Sequence, residues 1–265
     1  MSASDLWLRD VFTKYGLIVM IVLLVSFWIN YKWSKVRRNI YKAYLLGFET
    51  ECAELADSYK RRLFRSLDQI VSHDETLRSM GQIRVLEIGV KTGENIQYYP
   101  DGTQLILVDW NRKLGNYLIS SERSWQFSHV DFERHIIGDG SSLKKIPTGC
   151  VDAVVTTRSL CCTTSVTDTL KEIYRVLAPG GKYFFMEHIP ETEGTFTRWI
   201  QTVLTRTNLW PLLYGDCRLD CNPNKDIEKA GFQKVMWKTV VLQGYVSHPI
   251  HLFLSRRHLI GTAIR

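Results

Sequence analysis

The 265-residue sequence predicts an α/β protein, a largely parallel sheet with helices on both faces, preceded by an apolar helix at the N-terminus. Three observations predict it. An apolar strand at 83–88 runs straight into a glycine-bearing turn at 89–93. From there to His188, strand-like apolar runs alternate with polar turns and one amphipathic helical stretch. Ahead of all this lies a long segment without a single charge.

That segment covers Tyr15 to Tyr31, 17 residues. As a helix it extends about 25 Å, at the lower limit for crossing a hydrocarbon core about 30 Å thick, so spanning and shallow insertion both fit. It ends in Phe27-Trp28-Ile29-Asn30-Tyr31 rather than in the small residues of a cleavage site, which predicts an uncleaved anchor over 1–31 with an aromatic headgroup belt. Lys32, Lys35, Arg37, Arg38 and Lys42 follow it. A basic flank on that side places the rest of the chain in the cytosol, beside anionic headgroups. The net charge of +7 is thereby assigned to a membrane surface, and no nucleic-acid partner is expected. Residues 32–80 read as a basic juxtamembrane and mostly helical region, because Leu55, Tyr59, Leu63 and Leu67 recur every four residues. It should pack against the edge of the domain at 81–265 or cover its site.

In that domain, the strand Ile83–Ile88 feeds a turn containing Gly89, Lys91 and Gly93, and a helix is expected through Asn95 to Tyr98. Glycines at such a turn let backbone approach a ligand, and open α/β sheets bind ligands at the carboxyl ends of their strands. A second strand, Leu105–Val108, ends at Asp109, 22 residues beyond Glu87, the place of an acid that accepts from ribose hydroxyls. The turn lacks the longer dinucleotide fingerprint, which disfavours a nicotinamide dehydrogenase and suits adenosine without phosphates. Asp139 and Gly140 stand where a third strand ends, Val151–Thr157 is a fourth strand, and 167–177 a helix. Ala178-Pro179-Gly180-Gly181 stops that helix, and Lys182–His188 forms a fifth strand. Gly231–Val235 and Ile250–Leu254 read as two final strands. Phe196, Trp199, Ile200, Val203 and Leu204 form one helical stripe suited to roofing a pocket, to lying in a membrane interface, or to core packing.

The six cysteines show no secreted disulfide framework, and no set of four at zinc-ligand spacing. Reduced thiols in a cytosol-facing domain are expected. An amino-group methyltransferase of nucleic acids would carry an Asn/Asp-Pro-Pro-aromatic motif after the fourth strand, where this chain has Thr157-Arg158-Ser159-Leu160.

Taken together from Ile83 to His188, the strand, acidic tip, acidic loop, strand, helix, Pro-Gly-Gly and strand resemble the Rossmann-like S-adenosylmethionine-dependent methyltransferases. Ser159-Leu160-Cys161, Arg175–Gly181, Phe185-Met186-Glu187-His188 and Gly215–Leu219 make the chain similar to the membrane-anchored thiol S-methyltransferases, the methyltransferase-like protein seven type. The resemblance implies a seven-stranded sheet with its last pair in hairpin order. It implies S-adenosyl-L-methionine as cofactor, with Glu87, Gly89 and Gly93 along the methionine part, Asp109 at the ribose and Asp139 at the adenine amino group, and with Trp110 and Gly140 also among the cofactor-binding residues. It also implies a small lipophilic thiol as acceptor, at the cytosolic face of the endoplasmic reticulum or lipid droplets. The family's second glycine is Lys91 here, whose side chain either crowds the cofactor or pairs with its carboxylate. His188, at the end of the fifth strand, is the candidate general base that would raise the thiolate population; the alternative is a structural histidine. Cys161 and Cys162 are read as pocket or core residues. No metal is expected. The competing readings are another lipophilic or macromolecular acceptor, and a degenerate fold kept as a membrane or lipid-droplet module.

Overall fold

A computed structural model of the chain describes residues 3–112, 118 and 124–265. It divides into two compact units, Met1–Lys42 and Ala43–Arg265. The first unit is most of α1 (Ala3–Tyr44), a 42-residue helix whose segment Leu17–Val25 is exposed along its whole length. It is the one described helix long and apolar enough to cross a membrane.

The second unit opens on a single π-helical turn, Leu45–Glu49, followed by α2 (Thr50–Leu55), α3 (Asp57–Phe64) and α4 (Glu75–Ser79). A π turn adds a residue to the helical register. The stripe that turns inward is therefore Phe48, Cys52, Ala56, Lys60 and Phe64, with Leu67. Of the expected stripe, Leu55, Tyr59 and Leu63 are only half-buried and flank it.

Seven strands follow: β1 (Arg84–Ile88), β2 (Thr103–Asp109), β3 (Val130–Ile137), β4 (Val151–Thr157), β5 (Leu177–His188), β6 (Lys234–Val241) and β7 (Arg257–Ile264). They lie in the order β3-β2-β1-β4-β5-β7-β6, all parallel except β7, which is antiparallel to both of its neighbours. Successive residues of each strand feed opposite layers, because side chains alternate across a sheet. Leu86, Ile88, Ile106, Val154 and Phe185 pack with Leu170, Ile173 and Val176 of α5 (Val166–Val176). Val85, Leu105, Leu107, Val155 and Phe184 pack with Phe64 and Leu67 on the other face. Ser165 caps α5, its hydroxyl accepting from the Asp168 N–H.

Three expectations change. After the glycine turn there is one 3-10 turn, Ile96–Tyr98, instead of a longer helix. Pro100 explains it, since the residue before proline avoids helical geometry, and Tyr99 is extended at φ −82°, ψ 145°. The segment expected as the last strand is helix α9 (Pro249–Ser255), with proline in its first turn where a missing N–H costs nothing; β7 begins two residues later. Lastly, α6 (Phe196–Arg206) buries Thr197 and Gln201, while Phe196, Trp199 and Val203 face outward and Ile200 and Leu204 are half-buried. Two short helices, α7 (Leu209–Leu213) and α8 (Asn224–Lys229), complete the unit.

Candidate active site

The parallel strands end together, and their first turns are tied to one another. Gly89 and Gly93 take φ +75° and +83°, and a Cβ on Gly89 would collide with Ser159 in the turn after β4. Between them Lys91 holds φ +52°. Its N–H donates to Asp109 Oδ2 at 3.1 Å, while Asp109 Oδ1 accepts from the Asn111 N–H at 2.8 Å. Gly138 donates to the Asp109 carbonyl at 3.2 Å, which brings the ends of β2 and β3 together. Asp139 accepts from Ser141 and from the Thr164 N–H. Burial pushes its pKa up, but these hydrogen bonds prevail and hold it at about 2. Gly140 takes φ +85°, and a Cβ there would lie 2.8 Å from Ile88. Trp110 stands 60% exposed on the wall of a cleft of about 320 Å³ that also involves Cys162, Thr164, Asp216 and Arg218.

Glu87 is fully buried at the end of β1, accepting from Asn95 Nδ2 at 2.8 Å and the Tyr99 hydroxyl at 2.6 Å. Burial raises its pKa to about 7 against those hydrogen bonds and the nearby Lys60. Lys60 is itself buried, and desolvation lowers its pKa to about 8 despite Glu87 and Glu94.

Next to this carboxyl lies a buried ion cluster. Glu49, on the π turn, accepts from Lys91 Nζ at 2.6 Å and Arg158 Nε at 3.1 Å, and from the Tyr44 hydroxyl. Burial works against its charge, yet Arg158 and Lys91 hold its pKa far below the carboxylate range. Arg158 also donates to the Ser255 carbonyl and to His258 Nε2 at 3.0 Å. An arginine can only donate, so His258 accepts at Nε2 and donates from Nδ1 to the Arg256 carbonyl. Lys91 and Arg158 are both cations at left-handed backbone positions, φ +52° and +51°, and both are aimed at Glu49. Strained non-glycine residues of this kind cluster at functional sites. They line, with Lys60, Asn95 and His258, a cavity of about 30 Å³ under the glycine turn.

His188 is buried, its Nε2 lying 3.3 Å from Cys217 Sγ. Cys161 Sγ lies 3.6 Å from Cys217 Sγ and 3.5 Å from Cys162 Sγ. The thiols of Cys161 and Cys162 and the His188 ring lower the Cys217 pKa, while hydrogen bonding and burial push Cys161 up. Among the described residues, the buried side-chain atoms without a hydrogen-bond partner include four near these strand ends: Asn95 Oδ1, Ser159 Oγ, Glu187 Oε1 and His188 Nδ1.

The structure thus brings Glu87, Gly89, Lys91, Gly93, Asp109, Trp110, Asp139 and Gly140 to one edge of the sheet, and sets His188 against a cysteine. Sequence reasoning missed Glu49, Lys60, Arg158, His258 and Cys217 as site neighbours. Lys91, expected to crowd the cofactor or to pair with its carboxylate, was the signal in this place, and the partner it has in the structure is Glu49.

Residues 86–185 match the model of a methyltransferase domain. The chain is 30% identical to the human thiol S-methyltransferase TMT1A, over 88% of this chain and 89% of that protein. It is 31% identical to the mouse thiol S-methyltransferase TMT1B over the same shares. Among solved structures, phosphoethanolamine N-methyltransferase 2 of Haemonchus contortus, in complex with S-adenosyl-L-methionine, superposes with a TM-score of 0.51 at 14% identity, covering 69% of this chain and 49% of that one. The methyltransferase-domain match and these relatives show an S-adenosylmethionine-dependent methyltransferase, with the fold of one. Within that class the chain belongs to the thiol S-methyltransferase family.

Proposed function

We propose that the protein transfers the methyl group of S-adenosylmethionine to a small lipophilic thiol at a membrane surface. The observation that carries the reading is the convergence of the Gly89–Gly93 turn, Asp109 and Asp139 at one sheet edge, in a chain related over 88% of its length to thiol S-methyltransferases.

The residues present suit the cofactor. In the ion cluster two cations, the half-buried Lys91 and the buried Arg158, share one carboxylate, Glu49. One positive charge is left over, and a ligand carboxylate would neutralise it. The unpaired Asn95 Oδ1 and Ser159 Oγ are an acceptor and a hydroxyl suited to an ammonium group and a carboxylate. Each Asp109 oxygen accepts one N–H, leaving lone pairs for two ribose hydroxyls. Trp110 offers an exposed ring for stacking on adenine, and Asp139 an ionised acceptor for the amino group. The 30 Å³ cavity holds little more than a water, so Lys91 and Glu49 must part, or swing aside, to admit the methionine portion.

The cofactor supplies an already activated sulfonium methyl, so the chain's own work is to align the acceptor sulfur and exclude water. A thiolate is the competent nucleophile. His188 is the residue we assign to take the thiol proton, through the Nδ1 that has no hydrogen-bond partner among the described residues.

The uncharged stretch of α1 supports a membrane anchor, and the outward Phe196, Trp199 and Val203 of α6 support contact with an apolar interface. Placement at the cytosolic face of the endoplasmic reticulum or lipid droplets rests on the basic flank and on the family resemblance. Purified full-length protein should form an S-methyl product, detected by mass spectrometry, from a small aryl or alkyl thiol. Asp109→Ala should weaken S-adenosylmethionine binding in calorimetry by roughly ten- to hundred-fold, the loss expected of a charged hydrogen bond. Absence of product together with unchanged cofactor binding in Asp109→Ala would refute the assignment.

A further inference from the structure

The adjacent thiols of Cys161 and Cys162 meet that of Cys217, 56 residues beyond Cys161, beside the cleft that carries Trp110. Cys161 and Cys162 lie on the 3-10 turn Leu160–Cys162 after β4. Cys217 comes from the loop between α7 and α8, presented by the left-handed pair Gly215 (φ +64°) and Asp216 (φ +61°). The three sulfurs all fall within 4.8 Å of one another.

The two loops are locked together by something other than the sulfurs. The Arg218 N–H and Nε both donate to the Cys161 carbonyl, at 3.1 and 3.3 Å, and Nη2 donates to the Thr163 carbonyl at 3.2 Å. Leu219, Leu254 and Trp210 pack around the thiols and leave Cys161 and Cys217 only 2% and 4% exposed. His188 fixes the Cys217 side from the end of β5. Cys162 is the half-buried member, and it lies on the wall of the cleft that carries Trp110.

Sulfur spacing separates the two kinds of chemistry such a group can perform. A disulfide needs its sulfurs at about 2.0 Å, so the 3.6 Å Cys161–Cys217 pair would have to close by about 1.5 Å against the Arg218 clamp. A metal ion with metal–sulfur bonds of about 2.3 Å in tetrahedral geometry sets its sulfurs about 3.8 Å apart. The Cys161–Cys162 and Cys161–Cys217 separations meet that value with shifts of a few tenths of an ångström, and the Cys162–Cys217 pair lies within 4.8 Å. Soft thiolate ligands select zinc and copper(I) over hard cations.

We propose that Cys161, Cys162 and Cys217 form a three-thiolate binding site for one thiophilic metal ion, with zinc(II) as its chemical type and the fourth coordination position open. Binding releases the ligand thiol protons to solvent. The three-ligand arrangement with an open position is that of zinc sites that take up an exogenous ligand, as distinct from closed structural sites. None of the three ligands is a residue assigned to the cofactor, although Cys162 shares a cleft wall with Trp110, and the proposal does not depend on the acceptor being a thiol.

The test uses the full-length chain in detergent, reduced, stripped of metal and kept anaerobic. Titration with cobalt(II) as a spectroscopic stand-in should produce thiolate-to-metal charge-transfer absorption that saturates at one equivalent and is displaced by zinc(II). Cys161→Ser and Cys217→Ser should each lose that absorption and weaken zinc affinity, measured by chelator competition, by roughly ten- to hundred-fold. Cys150→Ser, outside the cluster, should keep both. Circular dichroism and S-adenosylmethionine binding verify that the variants are folded, and if Cys161→Ser or Cys217→Ser fails to fold, Cys162→Ser takes its place. No charge-transfer band in the folded wild type, or the same band in folded Cys217→Ser, would overturn the proposal.

Discussion

Glu87 shows how one buried carboxyl can set the acid–base behaviour of the whole unit. Its pKa is raised from 4.5 to about 7 by burial, with Tyr99, Asn95 and Lys60 opposing the rise and Asp109 adding to it. The folded state therefore binds a proton that the unfolded chain releases between those two values. That contribution is fully present below the unfolded pKa and is lost as pH rises through about 7, amounting to about 3 kcal/mol at most. Glu87→Gln, which cannot titrate, should flatten the stability-versus-pH curve between about pH 5 and about pH 8, read as denaturation midpoints. A slope equal to the wild type's would show that another group is responsible. At the same scale, Asp109 and Asp139 were legible because a single acid at a strand tip is recognisable from spacing. Glu49 and Arg158 were not, since they are 109 residues apart and meet only because a π turn rotates one inward while a left-handed residue swings the other across β4.

Among the elements, β7 depends on a glycine. It lies between β5 and β6, and a Cβ on Gly261 would collide with the Met236 carbonyl and lie 2.7 Å from the Phe185 ring. Gly261→Ala should cost about 1–3 kcal/mol, the usual penalty of overpacking, measured by urea denaturation. α6 behaves in the opposite way, carrying apolar side chains that the fold does not use. Trp199 is 60% exposed, so Trp199→Glu should leave the melting temperature unchanged while reducing co-sedimentation with lipid vesicles. A lowered melting temperature would instead mean that the stripe is core. The periodicity of Phe196 to Leu204 could not distinguish these cases, because an apolar stripe reads the same whether it meets protein or lipid. The segment 249–255 misled for a related reason: a short apolar run suits strand and helix equally, and Pro249 in the first turn was the available signal for helix.

For the whole molecule, the chain divides at Lys42 and Ala43 into a unit that holds the long apolar helix and a unit that holds the sheet. A chain lacking residues 1–31 should move from the membrane pellet to the supernatant on fractionation, with S-adenosylmethionine affinity unchanged in calorimetry. Retention in the pellet would assign the membrane contact to the second unit. The helices between Thr50 and Phe64 were only partly legible because Cys52, Ala56 and Lys60 roof the cavity under the glycine turn. Roofing is a tertiary relation that no local pattern encodes.

The sequence by itself determined the sheet through β5, the turn with Gly89 and Gly93, the acids at the strand tips and the apolar helix, because each is written in neighbouring residues through alternation, turn chemistry or length. Tertiary structure decided what those residues do together. Lys91 looked like a lost glycine, and the fold turns it toward Glu49. Cys161, Cys162 and Cys217 looked like ordinary free thiols, and the fold gathers their sulfurs within 4.8 Å. Local pattern carries short-range preference, whereas charge pairing and metal geometry depend on distances between residues that only chain closure sets.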